Sequence, residues 1–181
     1  LFSLSDVNGH VHGLLGVHVD DGLCCGDATF NAAIDKLEKK FPFGAKRETD
    51  FPFTGIHIKQ DMSGNIHLDQ KEYVQGIDPI AIDRHRRKKE QETVTEPERQ
   101  GLRGLIGSLQ YAAINTRPDI SAKLSFLQSK INCATIHDLL EANRLLGEAK
   151  KHSDVKVTIS NIPLDQVRMI SYSDASFATR E

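Results

Sequence analysis

Apolar and polar positions divide the chain into a strand-like beginning, an alternating middle and a helical second half. Residues 1–4 and 11–19 are apolar runs separated by the turn formers Asp6, Asn8 and Gly9. The second is apolar at nearly every position, which fits a buried strand. It meets Asp20-Asp21-Gly22, and Leu23-Cys24-Cys25 follows as a further apolar run. Asp-Gly between apolar strands predicts a tight hairpin. Asp27 is placed to cap a helix over residues 28–41, with Phe30, Ile34, Leu37 and Phe41 as its apolar stripe and Pro42 as its end.

Alternation with a period of two returns at Ile56-His57-Ile58-Lys59, and Ser63-Gly64-Asn65 turns the chain into Ile66-His67-Leu68. Asp69 and Glu72 have the spacing of a capping box opening a short helix with Tyr73, Val74 and Ile77. Residues 79–96 hold few large apolar side chains and many charges, the composition of an exposed loop or linker. Three helices are then expected. Thr95 with Glu98 starts the first (Leu102, Leu105, Ile106, Leu109), Thr116 with Pro118 the second (Ile120, Leu124, Leu127, Ile131), and Thr135 with Asp138 the third (Leu139, Ala142, Leu146, Ala149). Val155, Val157 and Ile159 alternate as a strand, Pro163 breaks it, and a last strand is expected over residues 167–173. The fold class is therefore α+β.

Composition narrows the picture modestly. Of the 181 residues, 39% are hydrophobic and 27% charged, values of a globular chain, and the net charge of −2 gives no bulk preference for nucleic acid. The charge is uneven, since Arg84, Arg86, Arg87, Lys88 and Lys89 nearly adjoin and precede Glu90, Glu92, Glu96 and Glu98. Such a basic cluster reads as a solvated linker, with non-specific phosphate contact as the alternative. Cys24, Cys25 and Cys133 are too few and poorly spaced for a disulfide framework or zinc site, and read as reduced core residues of an intracellular protein. No signal-peptide pattern or membrane-length apolar run is present in the sequence, and the eight histidines form no evident ligand pattern. The chain starts at Leu1 rather than Met, and both ends read as cut from something longer.

The strongest chemical candidate is Asp20-Asp21. Two carboxylates at the tip of a hairpin concentrate hard oxygen ligands of the kind magnesium prefers, although Asp-Asp-Gly is also ordinary turn chemistry. The run Gly13-Leu14-Leu15-Gly16-Val17-His18-Val19-Asp20-Asp21-Gly22-Leu23 resembles motif C of reverse transcriptases, an apolar strand ending in two aspartates. His18 stands where the copia-type version commonly has an aromatic residue. Phe41-Pro42-Phe43-Gly44 lies where that family has its motif D segment, with Lys46 nearby, and Phe51-Pro52-Phe53-Thr54-Gly55-Ile56-His57-Ile58 is similar to its primer-grip strand. Asp69-Gln70-Lys71-Glu72-Tyr73, Arg103-Gly104-Leu105-Ile106-Gly107-Ser108-Leu109-Gln110-Tyr111 and Asn115-Thr116-Arg117-Pro118-Asp119-Ile120 are similar to its later phrases. Near the end, Tyr172-Ser173-Asp174-Ala175 resembles the strand that opens the family's ribonuclease H.

In this order the motifs resemble the Pol polyprotein of copia-type LTR retrotransposons, from the reverse transcriptase to the start of ribonuclease H. The resemblance implies a partial palm with primer grip and thumb start over residues 1–78, a charged linker over 79–100, a helical thumb or connection over 101–152, and a truncated ribonuclease H-like domain over 153–181. It implies Asp20 as main ligand of Mg2+ (Mn2+ being possible), Asp21 as a secondary contributor, and Asp174 as the first metal ligand of the ribonuclease H. Phe53, Gly55 and Ile56 would belong to the primer grip, Lys46 reads as a solvated surface lysine with protonation of the leaving pyrophosphate as its alternative role, and the partners would be an RNA template and a DNA primer. The family's motif A aspartate and motif B are not in the sequence, so the chain alone is expected to be inactive. The alternative is a non-enzymatic nucleic-acid-binding or interaction module, in which the aspartate pair is only a turn.

Overall fold

A computed structural model describes residues 1–171, and shows a mixed α+β chain with two small antiparallel sheets and several helices. The first sheet holds β1 (Phe2–Ser5), β2 (Val11–His18) and β3 (Asp21–Gly26) in sequential order, followed by α1 (Ala28–Lys40). Asp27 caps α1, its Oδ1 accepting from the N–H groups of Thr29 and Phe30 at 2.8 and 3.0 Å. Gly13 and Gly26 are paired across β2 and β3, and a Cβ on either would lie within 2.6 Å of the Phe30 ring. These two glycines thus form the cradle in which α1 seats its one buried side chain.

Two expectations about this region are overturned. The apolar run of β2 is not a buried strand: Leu14 and Val17 are exposed, and every residue of β3 is exposed. The sheet is only three strands wide and α1 covers part of one face, so apolar character has outrun the available cover. For the same reason Cys24 and Cys25 are surface residues rather than core, as is Cys133 in a short 3-10 turn.

The second sheet has the order β4 (Asp50–Phe53), β5 (Ile56–Gln60), β6 (Ile66–Asp69) and β7 (Val157–Ile159). β7, expected to begin a separate domain, pairs antiparallel with β6 and so completes this sheet. Asn161 secures the join, donating from its Nδ2 to the Ser63 carbonyl at 3.1 Å and from its backbone N–H to Asn65 Oδ1 at 3.0 Å. Residues 167–171 carry no strand, and the rest of the strand expected over 167–173 lies outside the described residues.

The core is helical. α3 (Glu96–Asn115), α4 (Ser121–Ser129) and α5 (Ile136–Lys151) pack around Leu102, Leu109, Leu124, Ile136, Leu139 and Leu146, all essentially inaccessible to solvent. The capping boxes expected at Thr95/Glu98 and Thr135/Asp138 are both formed. Asp69, in contrast, ends β6, and the short α2 (Lys71–Gln75) has Gln70 at its N-cap, with no side-chain capping bond. Thr116 does not open α4 but closes α3, buried, with its hydroxyl bonded to Gln70 at 2.9 Å. Arg117 beside it is buried as well, bonding Asp119 through two nitrogens at 2.8 and 2.7 Å and the Ala149 carbonyl at 2.9 Å. The Asn115–Ile120 phrase therefore joins the ends of three helices.

The charged stretch 79–96 is not a free linker. Ile82 and Val94 are buried in the helical core, and the Ile80 backbone exchanges two 2.8 Å bonds with the Asn143 side chain. Arg86 turns inward to Glu98, Glu92 and the Thr93 carbonyl. The acidic residues that follow the basic cluster neutralise its central arginine, which explains how so polar a segment can lie against apolar helices.

Candidate functional site

The β2–β3 hairpin pairs His18 with Asp21, which leaves Val19 and Asp20 as a two-residue loop. Asp20 is thus in the turn and Asp21 is the first residue of β3, so the Asp-Gly dipeptide falls inside the strand and not at the loop's centre. The positive φ that such loops require is carried by Val19, at 56°. A β-branched residue in that region is strained by about 1–3 kcal/mol, a feature Val19 shares with Thr49 and Thr54.

Asp20 and Asp21 are both exposed, and neither carboxylate makes an ion pair or a side-chain hydrogen bond among the described residues. Two unpartnered carboxylates side by side supply hard oxygens that suit Mg2+ or Mn2+ by type. Among the described residues no third carboxylate, histidine or cysteine joins them in a cluster tight enough to enclose an ion. The donor chemistry fits the ion, while the donor number is that of a partial shell completed by water or phosphate oxygens. Asp174 lies outside the described residues.

Phe53, Gly55 and Ile56, which the sequence resemblance links to a primer grip, lie at the closed end of the β4–β5 hairpin. Phe53 and Ile56 face each other, and Thr54 and Gly55 make the turn with φ of 48° and 79°. Positive φ at both central positions is the I′ geometry favoured by strand twist. Tyr111 of α3 anchors this turn, its hydroxyl donating to the Thr54 carbonyl, and Tyr73 packs edge-on against Tyr111 with ring centroids 5.2 Å apart. The hairpin tip is therefore fixed to the helical core.

Lys46 is bound to Glu38 and lies 3.8 Å from Asp35, both on α1. The Glu38 carboxylate holds its ammonium above the usual lysine range, which makes it a weaker acid and disfavours proton donation.

One cluster escaped the sequence reading. His10, His12 and Asp27 present ligand atoms that all lie within 4.8 Å of one another, and His12 Nδ1 is 2.7 Å from Asp27 Oδ2. The His12 partner is the leading cause that holds the Asp27 carboxyl below its usual range. Strand register contained the signal. With Gly13 opposite Gly26, the next step outward places Asp27 beside His12, and the Asp27 N–H donates to the His12 carbonyl at 2.9 Å. Among the described residues no helix is long and apolar enough to cross a membrane. Comparison of the chain with protein-family models, with curated proteins and with solved structures finds no match.

Proposed function

We propose that the chain is a segment of an RNA-directed DNA polymerase of the copia type, whose intact form copies RNA into DNA by two-metal nucleotidyl transfer inside the cell. The observation that carries this reading is the pair of unpartnered carboxylates, Asp20 and Asp21, at the strained tip of the β2–β3 hairpin. When bound there, Mg2+ would stabilise the charge that develops on the attacking and leaving oxygens. Asp20, in the loop, is the principal ligand and Asp21 a secondary source of negative potential. Phe53, Gly55 and Ile56, on a hairpin held by Tyr111, would support the primer strand against its RNA template. Asp174 is assigned to a separate ribonuclease H centre.

The test is a set of paired assays in a polyprotein form that also supplies the remaining catalytic aspartate. Asp20→Asn is expected to abolish primer extension on an RNA template, a loss of several kcal/mol or roughly thousandfold and more in rate. Asp21→Asn should impair it less, and Asp174→Asn should leave extension intact while removing cleavage of the RNA strand. Extension at the wild-type rate by Asp20→Asn would reduce the aspartate pair to turn chemistry and favour a non-enzymatic interaction module.

A further inference from the structure

The cluster beside the start of α1 is independent of the hairpin tip and has different donor chemistry. His10 ends the β1–β2 loop, His12 lies on β2, and Asp27 joins β3 to α1, so one small volume receives side chains from three parts of the chain. The His10 position is fixed by Asp6, whose Oδ1 accepts from the N–H groups of Asn8 and His10 at 2.8 and 2.9 Å and whose N–H donates to the His10 carbonyl at 2.9 Å. The His10 and His12 rings meet edge to face with centroids 4.9 Å apart. Asp27 divides its two oxygens: Oδ1 caps the helix and Oδ2 faces His12.

We propose that His10, His12 and Asp27 form a binding site for a borderline divalent transition-metal ion, of which Zn2+ is the representative. Two imidazoles and one carboxylate, with water in the remaining position, are a donor set that such ions accept at about 2.0–2.2 Å. Magnesium, which prefers oxygen ligands, is a poor match for the two imidazoles. On binding, the hydrogen between His12 Nδ1 and Asp27 Oδ2 shifts to His12 Nε2, or leaves to water as a proton if the imidazole was charged, and the two atoms part from 2.7 Å to the roughly 3.3 Å that tetrahedral bonds of that length require. Asp27 keeps its helix cap throughout, because the capping oxygen is the other one.

The surrounding structure gives this ion a task. Phe30 is the only buried large apolar side chain among residues 1–49, so the first sheet and α1 have almost no core of their own. Small units in that position are commonly held by a disulfide or a metal, and the exposed Cys24 and Cys25 are free thiols. An ion bridging loop, strand and helix start would tie together the elements that hydrophobic burial leaves loose.

The experiment uses the full 181-residue chain with Cys24, Cys25 and Cys133 changed to Ser, which removes thiol binding. Calorimetric titration with Zn2+ should show one saturable ion per chain, not displaced by excess Mg2+. His10→Ala, His12→Ala and Asp27→Asn should each weaken affinity by about tenfold or more. Asparagine is a good N-cap, so Asp27→Asn should retain the helical circular-dichroism signal of the parent. Should a histidine variant fail to fold, NMR of the parent decides the matter: Zn2+ must shift the ring signals of His10 and His12 ahead of those of the other histidines. Absence of saturable binding, or binding that all three variants leave unchanged, would make the His12–Asp27 contact an ordinary hydrogen bond and overturn the proposal.

Discussion

Val19 shows how much a single backbone angle reveals. It is exposed, so its side chain contributes little burial, yet it occupies a conformation that suits glycine. Val19→Gly is expected to stabilise the hairpin by about 1 kcal/mol, read as a higher urea midpoint for the amide signals of β2 and β3. On the proposed polymerase reading, the same change should also lower primer extension by the intact form, because a softer turn positions Asp20 less firmly. At Glu98, the Arg86 guanidinium is the largest influence and lowers the carboxyl to about 2. A depressed folded pKa gives stability that is complete above the unfolded value of 4.5 and is lost as pH falls through the folded one. The chain should therefore lose on the order of 2 kcal/mol between about pH 5 and pH 2 as Glu98 is protonated and its bonds to Arg86 and Thr95 weaken, after allowance for solvent screening. Glu98→Gln should lack that part of the acid sensitivity in thermal melts recorded across the range.

Elements were legible where local rules and tertiary contacts agree. Both Thr-initiated capping boxes formed as their spacing predicts, and the stripes of α3 and α5 became the core. The reading failed where cover or partners come from distant sequence. β2 looked buried because its composition is apolar, but no local signal reports that only a single helix covers the sheet. The 79–96 stretch looked solvated because the partners that neutralise Arg86 and receive Ile82 are set by folding. At the candidate site, the aspartate pair was visible as a dipeptide. The histidine cluster needed the strand register, which depends on the loop being Val19-Asp20 rather than centred on Asp-Gly. The Gly13–Gly26 cradle leaves no room for a side chain beneath Phe30. Gly13→Ala puts a methyl where the Phe30 ring lies and where the Cys25 carbonyl is only 2.8 Å away. It should destabilise the packing of α1 on the sheet by about 1–3 kcal/mol, seen as loss of the Phe30 ring shifts in NMR while α3 and α5 keep their spectra.

At the scale of the whole molecule, burial is unevenly shared. Twenty of the buried hydrophobic residues form one cluster between Val74 and Ala149, whereas the first sheet and its helix contribute Phe30. Local opening is easiest where few apolar contacts must break. Hydrogen exchange should accordingly run faster for β1–β3 and α1 than for α3 and α5, and mass spectrometry of the exchanging chain checks this. Uniform exchange across the chain would mean that the two parts unfold as one.

The pairing of β7 with β6 has a consequence for biosynthesis. Asp69 ends one strand and Val157 begins its partner, so β6 must wait for most of the helices to be made before its outer edge is covered. At roughly 5–20 residues per second, a nascent chain spends about 5–20 s with that edge open as it leaves the ribosome. His67 and Asp69 put polar side chains on the waiting strand, and Pro52 sits on β4 at the sheet's opposite edge. Proline and charge discourage stray strand pairing. A message broken before the codon for Val157 would release a product whose β6 never finds its partner, and chaperones or proteases would meet it as an unfinished sheet.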